Sequence, residues 1–391
     1  MQSRWENGIL TLVLPKKIDA VNAPAVEAEI REYKDQYAAN IIVFDFEMTE
    51  YISSAGLRVI LRLKNEENDI RLIQVQPAIY EILEMTGFTE MMEVSKAYRL
   101  VSLEGCELIG QGANGKIYRL DRENIIKVYT NTNSLAEIHH ERELARAAFV
   151  SGVPTAIPYD VVRIKEGGYG SIYEMLNAKT YIQLYKDGEK SLEELTELSV
   201  DLLKRIHSLI VKQSIVPDIR ESALSWAMFL KDYLPEKPFE KLIALFDAVP
   251  IDNHMIHGDY HFRNIMVQNG ESLLIDMDRL SRGHPIFDLA AMYNAYCGFG
   301  CVDPGIVETF LGIPYTTAAA IWRRSLECYL DTRDEKRLQE VEDKVRIISY
   351  TRIARHWIRR NGLETETGRQ QTAGVLQMLQ ELLPHTDSLL F

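Results

Sequence analysis

The first hundred residues alternate between short apolar runs and amphipathic stretches. "GILTLVLP" (8–15) alternates as a strand does, and "NIIVFDFE" (40–47) is apolar almost throughout, as a buried strand is. "DIRLIQVQ" (69–76) predicts a third strand. Between and after these, 20–36, 51–67 and 78–88 place apolar residues at helical spacing. Ser54 stands where a helix cap is expected, ahead of Leu57, Ile60, Leu61 and Leu63, and Gly87 closes the last helix. The order β-α-β-α-β-α predicts a compact α/β unit.

From residue 107 the pattern changes. "ELIGQGANGKIYRLDRENIIKVYT" reads as strand, glycine loop, strand, four-residue turn, strand. Its G-x-G-x-x-G falls at Gly110, Gly112 and Gly115. A dinucleotide fold needs a helix directly after those glycines. Here a strand follows, which suits a glycine hairpin folded over phosphates with a lysine, Lys127, on the third strand. Such a lysine needs an acid on a nearby helix. The helical stretch 134–152 offers Glu143 or Glu141, and Glu143, about three turns before the "GVP" break, is the preferred partner. "YGSIYEMLNA" (169–178) is an apolar strand running into a connector. Its backbone near Glu174 to Leu176 is the place for an adenine edge.

"HGDYHFRNIMV" (257–267) sets a polar cluster at the mouth of a strand. Asp259 and Asn264 have the separation of a kinase catalytic loop, where the aspartate accepts the hydroxyl proton and the asparagine holds magnesium. After the strand 265–267, a "QNGES" turn and the strand "LLID", Asp276 falls at a strand end, where a second magnesium ligand is needed. The chain then reaches the helical "FDLAAMYNAY" within about a dozen residues, leaving little platform for a peptide acceptor. A small-molecule hydroxyl is the better acceptor.

Composition narrows the field. Of 391 residues, 46% are hydrophobic and 26% charged, which is ordinary for a globular chain. The net charge of −13, with no Lys/Arg stripe, argues against nucleic acid or an anionic membrane as partner. Cys106, Cys297, Cys301 and Cys328 form no paired metal spacing, and no stretch approaches about 20 apolar residues. A cytoplasmic protein is the expectation. Trp226, Trp322, Trp357 and Tyr296 read as core aromatics before pocket ones.

Two resemblances follow from these motifs. Residues 3–100, through "FDFE", "YISSAGLRVIL" and "TGF", resemble the STAS domain of bacterial anti-sigma-factor antagonists. The resemblance implies that Ser54 is a regulatory phosphorylation site and that a regulatory protein binds this domain. The residue before it, often aspartate in that family, is Ser53 here. Residues 105–300, through "HGDYHFRN", "IDMD" and "HPIFDLAAM", resemble the aminoglycoside phosphotransferase and choline kinase-like family. That implies Asp259 as catalytic aspartate, Asn264 and Asp276 as metal ligands, Lys127 on the ATP phosphates, and His257, His261 and Asp288 as supports of the loop. The expected fold is an α/β STAS domain (1–102) followed by a protein-kinase-like α+β fold (103–391), with a small β-rich N-lobe (103–176) and a larger helical C-lobe (177–391). The expected function is an ATP- and Mg2+-dependent phosphotransferase acting on a small-molecule hydroxyl, aminated acceptors included. The rival is a partner-switching protein whose kinase-like half phosphorylates a protein, its own Ser54 included. A nucleotide-binding scaffold without activity is disfavoured, because Lys127, Asp259, Asn264 and Asp276 are all present.

Overall fold

A computed structural model gives the structure of the chain, describing all residues except 7, 38, 40, 67–68, 112–114, 130–134, 212–215 and 361. The chain divides into two compact units, Met1–Ser102 with Val161–Gly167, and Leu103–Asp160 with Gly168–Phe391.

The first unit holds β1 (Gln2–Glu6), β2 (Ile9–Val13), α1 (Ala23–Tyr37), β3 (Ile41–Asp45), α2 (Ser54–Asn65), β4 (Asp69–Val75), α3 (Pro77–Met85) and β5 (Glu93–Lys96). The five strands lie side by side in chain order. The β1–β2 pair is antiparallel, and the other pairs are parallel, with Ile42 opposite Leu10 and Ile70 opposite Ile42. Each parallel step is bridged by a helix, as parallel strands require. Leu10, Leu12, Ile42, Phe44, Ile70 and Leu72 are sealed from water against Ile30, Ile60 and Leu63 of the helices. A short parallel pairing of Leu100–Val101 with Arg163 and Ile164 completes this unit. Every residue of β1 is exposed, so it carries no apolar alternation by which the sequence could announce it.

One expectation about α2 is corrected here. Ser53, not Ser54, is its N-cap: Ser53 has extended backbone angles and its hydroxyl accepts from the Gly56 N–H at 3.5 Å. Ser54 is the first helical residue and is exposed. A cap must sit in the extended region just outside the helix, and only the first of the two serines does.

The second unit begins with an antiparallel sheet of β6 (Glu107–Gln111), β7 (Gly115–Arg119), β8 (Asn124–Tyr129) and β9 (Tyr169–Glu174), in the spatial order β9-β8-β7-β6. The helix α4 (Leu135–Val150) is inserted after β8. The remainder is largely helical, with α5 (Leu192–His207), α6 (Ile219–Phe229), the hairpin β10 (Ile265–Gln268) and β11 (Glu271–Leu274), α7 (Ile286–Tyr293), α8 (Tyr315–Leu330) and α9 (Glu335–Arg359). Its core takes in Leu203, Ile206, Phe262, Leu289, Tyr296, Trp322 and Ile348. Tyr296 and Trp322 are therefore core residues, whereas Trp226 and Trp357 are only half-buried. Among the described residues no helix is long and apolar enough to cross a membrane.

Candidate active site

The site is built where the β7–β8 sheet, α4 and the loop before β10 supply polar groups within the second unit. β8 alternates, so Ile126 goes into the core and Lys127 to the other face. Lys127 Nζ lies 2.6 Å from Glu141 Oε1 and 3.5 Å from Asp276 Oδ1. Burial works against its charge, but Asp276 and Glu141 outweigh burial and hold the ammonium above its ordinary range. Tyr173 donates its hydroxyl to the same Glu141 oxygen at 3.4 Å.

The expected partner Glu143 does not reach Lys127. It is exposed and pairs with Arg142 and Arg146. The reason is helical phase. Glu141 stands three residues after the buried Ile138 and three and four before the buried Leu144 and Ala145, whereas Glu143 is turned about 200° away. That spacing is present in the sequence, so phase would have found Glu141 where distance from the break did not.

The glycines divide. Gly115 pairs with Tyr129, and a Cβ on it would fall 2.3 Å from the Val128 carbonyl oxygen, so the strands approach only because it is glycine. A Cβ on Gly110 would meet only Ile117 at ordinary contact, 3.6 Å. Gly112 lies outside the described residues. At the end of β9, the Glu174 and Met175 N–H groups are taken by Ile157 and Glu123 carbonyls, and the side chain of Leu176 is buried.

The loop 257–264 is fixed from beneath. Asp288, fully buried in the first turn of α7, accepts the His257 N–H at 2.8 Å and the Gly258 N–H at 2.6 Å. His207 Nε2, 3.0 Å from the same carboxylate, is anchored at Nδ1 by the Tyr329 hydroxyl. Burial disfavours the Asp288 charge, but His207, His257 and the Gly258 N–H overcome it and lower its pKa. His257 Nδ1 accepts the Asp259 N–H, which leaves Nε2–H to meet the Ile275 carbonyl at 3.2 Å. Gly258 has φ +81°, and a Cβ there would lie 2.5 Å from the Arg279 carbonyl oxygen. The loop thus sits directly against the strand end that carries Asp276 and Arg279.

Asp259 is partly open to solvent, as is Asp276, with side chains 32% and 36% exposed. Burial pushes the Asp259 carboxyl up, but His261, Arg279, His257 and Arg352 more than offset this and hold it below its ordinary value. His261 is itself kept near 4 by burial, so at neutral pH the standing cations beside Asp259 are Arg279 and Arg352. Asn264 donates Nδ2 to the Asp259 carbonyl at 2.9 Å, and the Asn264 carbonyl accepts the Ile275 N–H at 3.0 Å, tying loop to strand end. Asp276 has φ +65°, the left-handed region that few non-glycine residues occupy, and such strain gathers at functional sites. Burial, then the neighbouring Asp276, raises Asp278 to about 7. Among the described residues no group of three His, Cys, Asp or Glu side chains is placed to hold a metal by itself. An anionic pair, an amide oxygen and a buried ammonium are instead the set that suits a cation shared with phosphates.

This arrangement, a glycine hairpin and lysine above a D-x4-N loop and a strand-end aspartate, is that of a kinase-like phosphotransferase. The profile of the phosphotransferase enzyme family matches residues 105–312, more than half of the chain, and the chain belongs to that family. The STAS domain profile matches residues 1–100. Among curated proteins, BtrV of Bordetella bronchiseptica, named as an anti-sigma factor antagonist, is 30% identical over 95 residues, which are 23% of this chain and 81% of BtrV. Among solved structures, the ADP-bound aminoglycoside phosphotransferase APH(2'')-Ib matches with a TM-score of 0.50 at 16% identity, over 78% of this chain and 98% of its own. Aminoglycoside phosphotransferase APH(4)-Ia matches with a TM-score of 0.50 at 12% identity, over 72% and 94%. At these identities the likeness establishes the fold.

Proposed function

We propose that the second unit transfers the γ-phosphoryl group of ATP to a hydroxyl of a small molecule, and that residues 1–102 regulate it. The observation that carries this reading is the junction of Lys127, Glu141 and Asp276 with the Asp259–Asn264 loop in a chain of this family. Lys127, oriented by Glu141, neutralises phosphate oxygens of the donor. Gly110 and Gly115, with Gly112 of the same motif, are assigned to the phosphates, and the connector at Glu174 to Leu176 is assigned to the base. Asn264 Oδ1 and the Asp276 carboxylate are the oxygens that would hold Mg2+, which supplies charge neutralisation between the donor phosphates.

Asp259 then faces the acceptor. Its carboxylate orients the hydroxyl and takes its proton as the acceptor oxygen bonds to the γ-phosphorus. The bond from that phosphorus to the β,γ-bridging oxygen breaks, and ADP leaves with the electron pair. A carboxyl held ionised by neighbouring cations is suited to orient a hydroxyl at neutral pH. Only a short segment separates Asp276 from α7 at Ile286, which favours a small acceptor over a peptide. A cytoplasmic location is part of the same reading, with ATP as donor.

Ser54, exposed at the start of α2 with its cap already supplied by Ser53, is the proposed regulatory phosphorylation site, and a protein partner of the STAS domain its reader. The test of the catalytic reading is ADP formation by the full chain with Mg-ATP against a panel of hydroxylated compounds. Turnover that disappears in Asp259→Asn supports it, and acceptor-independent, Asp259-independent ADP release overturns it.

A further inference from the structure

Arginines gather near the Asp259 loop in a chain whose net charge is −13: Arg279 and Arg352 act on the Asp259 carboxyl, and Arg355 stands about a turn beyond Arg352. Most arginines of α8 and α9 near other elements pair with carboxylates, as Arg323, Arg324 and Arg346 do. Arg279, Arg352 and Arg355 do not: among the described residues no carboxylate lies within ion-pair distance of any of them. Two of the three are held on aromatic faces instead. Arg352 lies 4.8 Å from the centroid of Trp226 and Arg355 lies 5.8 Å from that of Phe229. Arg352 and Arg355 are three apart on α9, and Trp226 and Phe229 are three apart on α6, so the two helices set two guanidiniums over two rings as a ladder. Phe229 is itself stacked on Tyr233. Arg279 joins them from the strand end pressed against Gly258, next to Asp259.

A guanidinium stacked on a ring keeps its in-plane N–H donors free, and that fork matches a carboxylate or a phosphate. Here Arg355 Nε is buried with no hydrogen-bond partner. A buried donor left unpaired asks for an acceptor that the folded chain does not supply. The carboxylates that act on Arg352 have other duties: Asp259 belongs to the proposed chemistry, and Asp288 is committed to the loop N–H groups and His207. Crowding of like charge also shows in Arg352, which burial and then Arg279 bring down to about 10 against the pull of Asp259 and Asp288. His356 is held low by burial and by Arg360, Arg279, Arg352 and Arg355.

We infer that the acceptor is a hydroxylated anion, with a carboxylate or phosphate gripped by Arg352, Arg355 and Arg279 while its hydroxyl meets Asp259. The inference rests on the phosphotransferase reading and favours an anionic acceptor over the aminated ones that the sequence left open. The transfer is the one written above: the hydroxyl oxygen gains the phosphoryl group, its proton goes to Asp259, and ADP leaves. The anionic group of the acceptor is unchanged.

The test uses the full chain with Mg-ATP and two matched sets of probes. One is glycerol, glycerate, glycerol phosphate and aminopropanediol; the other is glucose, gluconate, glucose phosphate and glucosamine. Transfer is read by mass spectrometry and Mg-ATP affinity by calorimetry. The expected result is a kcat/KM for carboxylate or phosphate members at least about tenfold above their neutral and aminated counterparts. The two anionic arms separate carboxylate from phosphate. Arg352→Gln and Arg355→Gln should each raise the acceptor KM about tenfold with Mg-ATP affinity unchanged. Arg279→Gln, at an exposed position, reads the same site should either of those fail to fold. Preference for an aminated or neutral member overturns the inference, as does anion transfer indifferent to all three substitutions, or no anionic member accepting phosphate while Mg-ATP binds. Failure of Mg-ATP to bind at all removes the phosphotransferase reading itself.

Discussion

Both units carry dense charge, but they place it differently. In the first unit Glu27 on α1 meets Arg31 and Arg62, and Arg31 also meets Glu66; Glu27 is largely covered, but all three of the groups paired around it are open to water. Arg62 is half in water, 51% exposed. In the second unit Lys127 and Glu141 are 14% and 12% exposed, and Asp288 is sealed completely. Solvated pairs of the first kind contribute little and shift with salt. Withdrawn groups of the second kind are costly unless they are matched, and folds keep them mainly where chemistry needs them. The contrast fits the proposed division, with binding and modification at residues 1–102 and reaction at the cluster around Asp259.

The sharpest way to break this contrast is at Asp259. Asp259→Asn should lower kcat by about a thousandfold, within the usual range for loss of a positioned general base, with Mg-ATP affinity near that of the parent. Calorimetry beside ADP release measures both, and unchanged turnover would strip the loop of its assigned role. Next comes Asp288. Asp288→Ala leaves the His257 and Gly258 N–H groups without an acceptor and His207 without its partner, so it should cost about 3 kcal/mol. Urea unfolding of the full chain, variant against parent, reads this directly.

A smaller effect separates two neighbouring glutamates. Glu141→Gln removes the charge that holds Lys127 and should weaken Mg-ATP binding about tenfold, while Glu143→Gln should change it by less than about twofold. The smallest effect belongs to the first unit. Arg62 chiefly, against burial, and then Arg31 lower the Glu27 carboxyl from 4.5 to about 2. A pKa lowered on folding gives stability that is fully present above the unfolded value. It fades as pH falls through about 2. Glu27→Gln should cost about 0.5 to 1 kcal/mol at pH 7, with the difference between variant and parent disappearing in acid. A loss above about 3 kcal/mol would erase the contrast between the two units.

What the sequence disclosed follows from how local each feature is. The loop "HGDYHFRN" and the strand-end Asp276 stood out because kinase-type chemistry asks for set residue types at fixed spacing, and the structure joins that loop to that strand end. The three buried parallel strands were legible as apolar runs. β1 was not, because all its residues face water and only its pairing with β2 makes it a strand. Ser53 and Ser54 are chemically alike, and only backbone angles tell which of them caps α2. Glu141 was available through helical phase but was passed over for Glu143. The arginine ladder had no local signal. Arg352 and Arg355 stand far in the chain from Trp226 and Phe229, and each alone is an ordinary helix arginine until α6 and α9 bring them together.

The central claim is that Lys127, Asn264 and Asp276 form a metal-dependent nucleotide site, and calorimetry of ATP binding to the full chain tests it most directly. ATP should bind with Mg2+ present and weaken at least about tenfold when the metal is chelated, and Asn264→Ala and Asp276→Ala should each give a similar loss with Mg2+ present. ATP affinity that is indifferent to Mg2+ and to both substitutions would contradict the account.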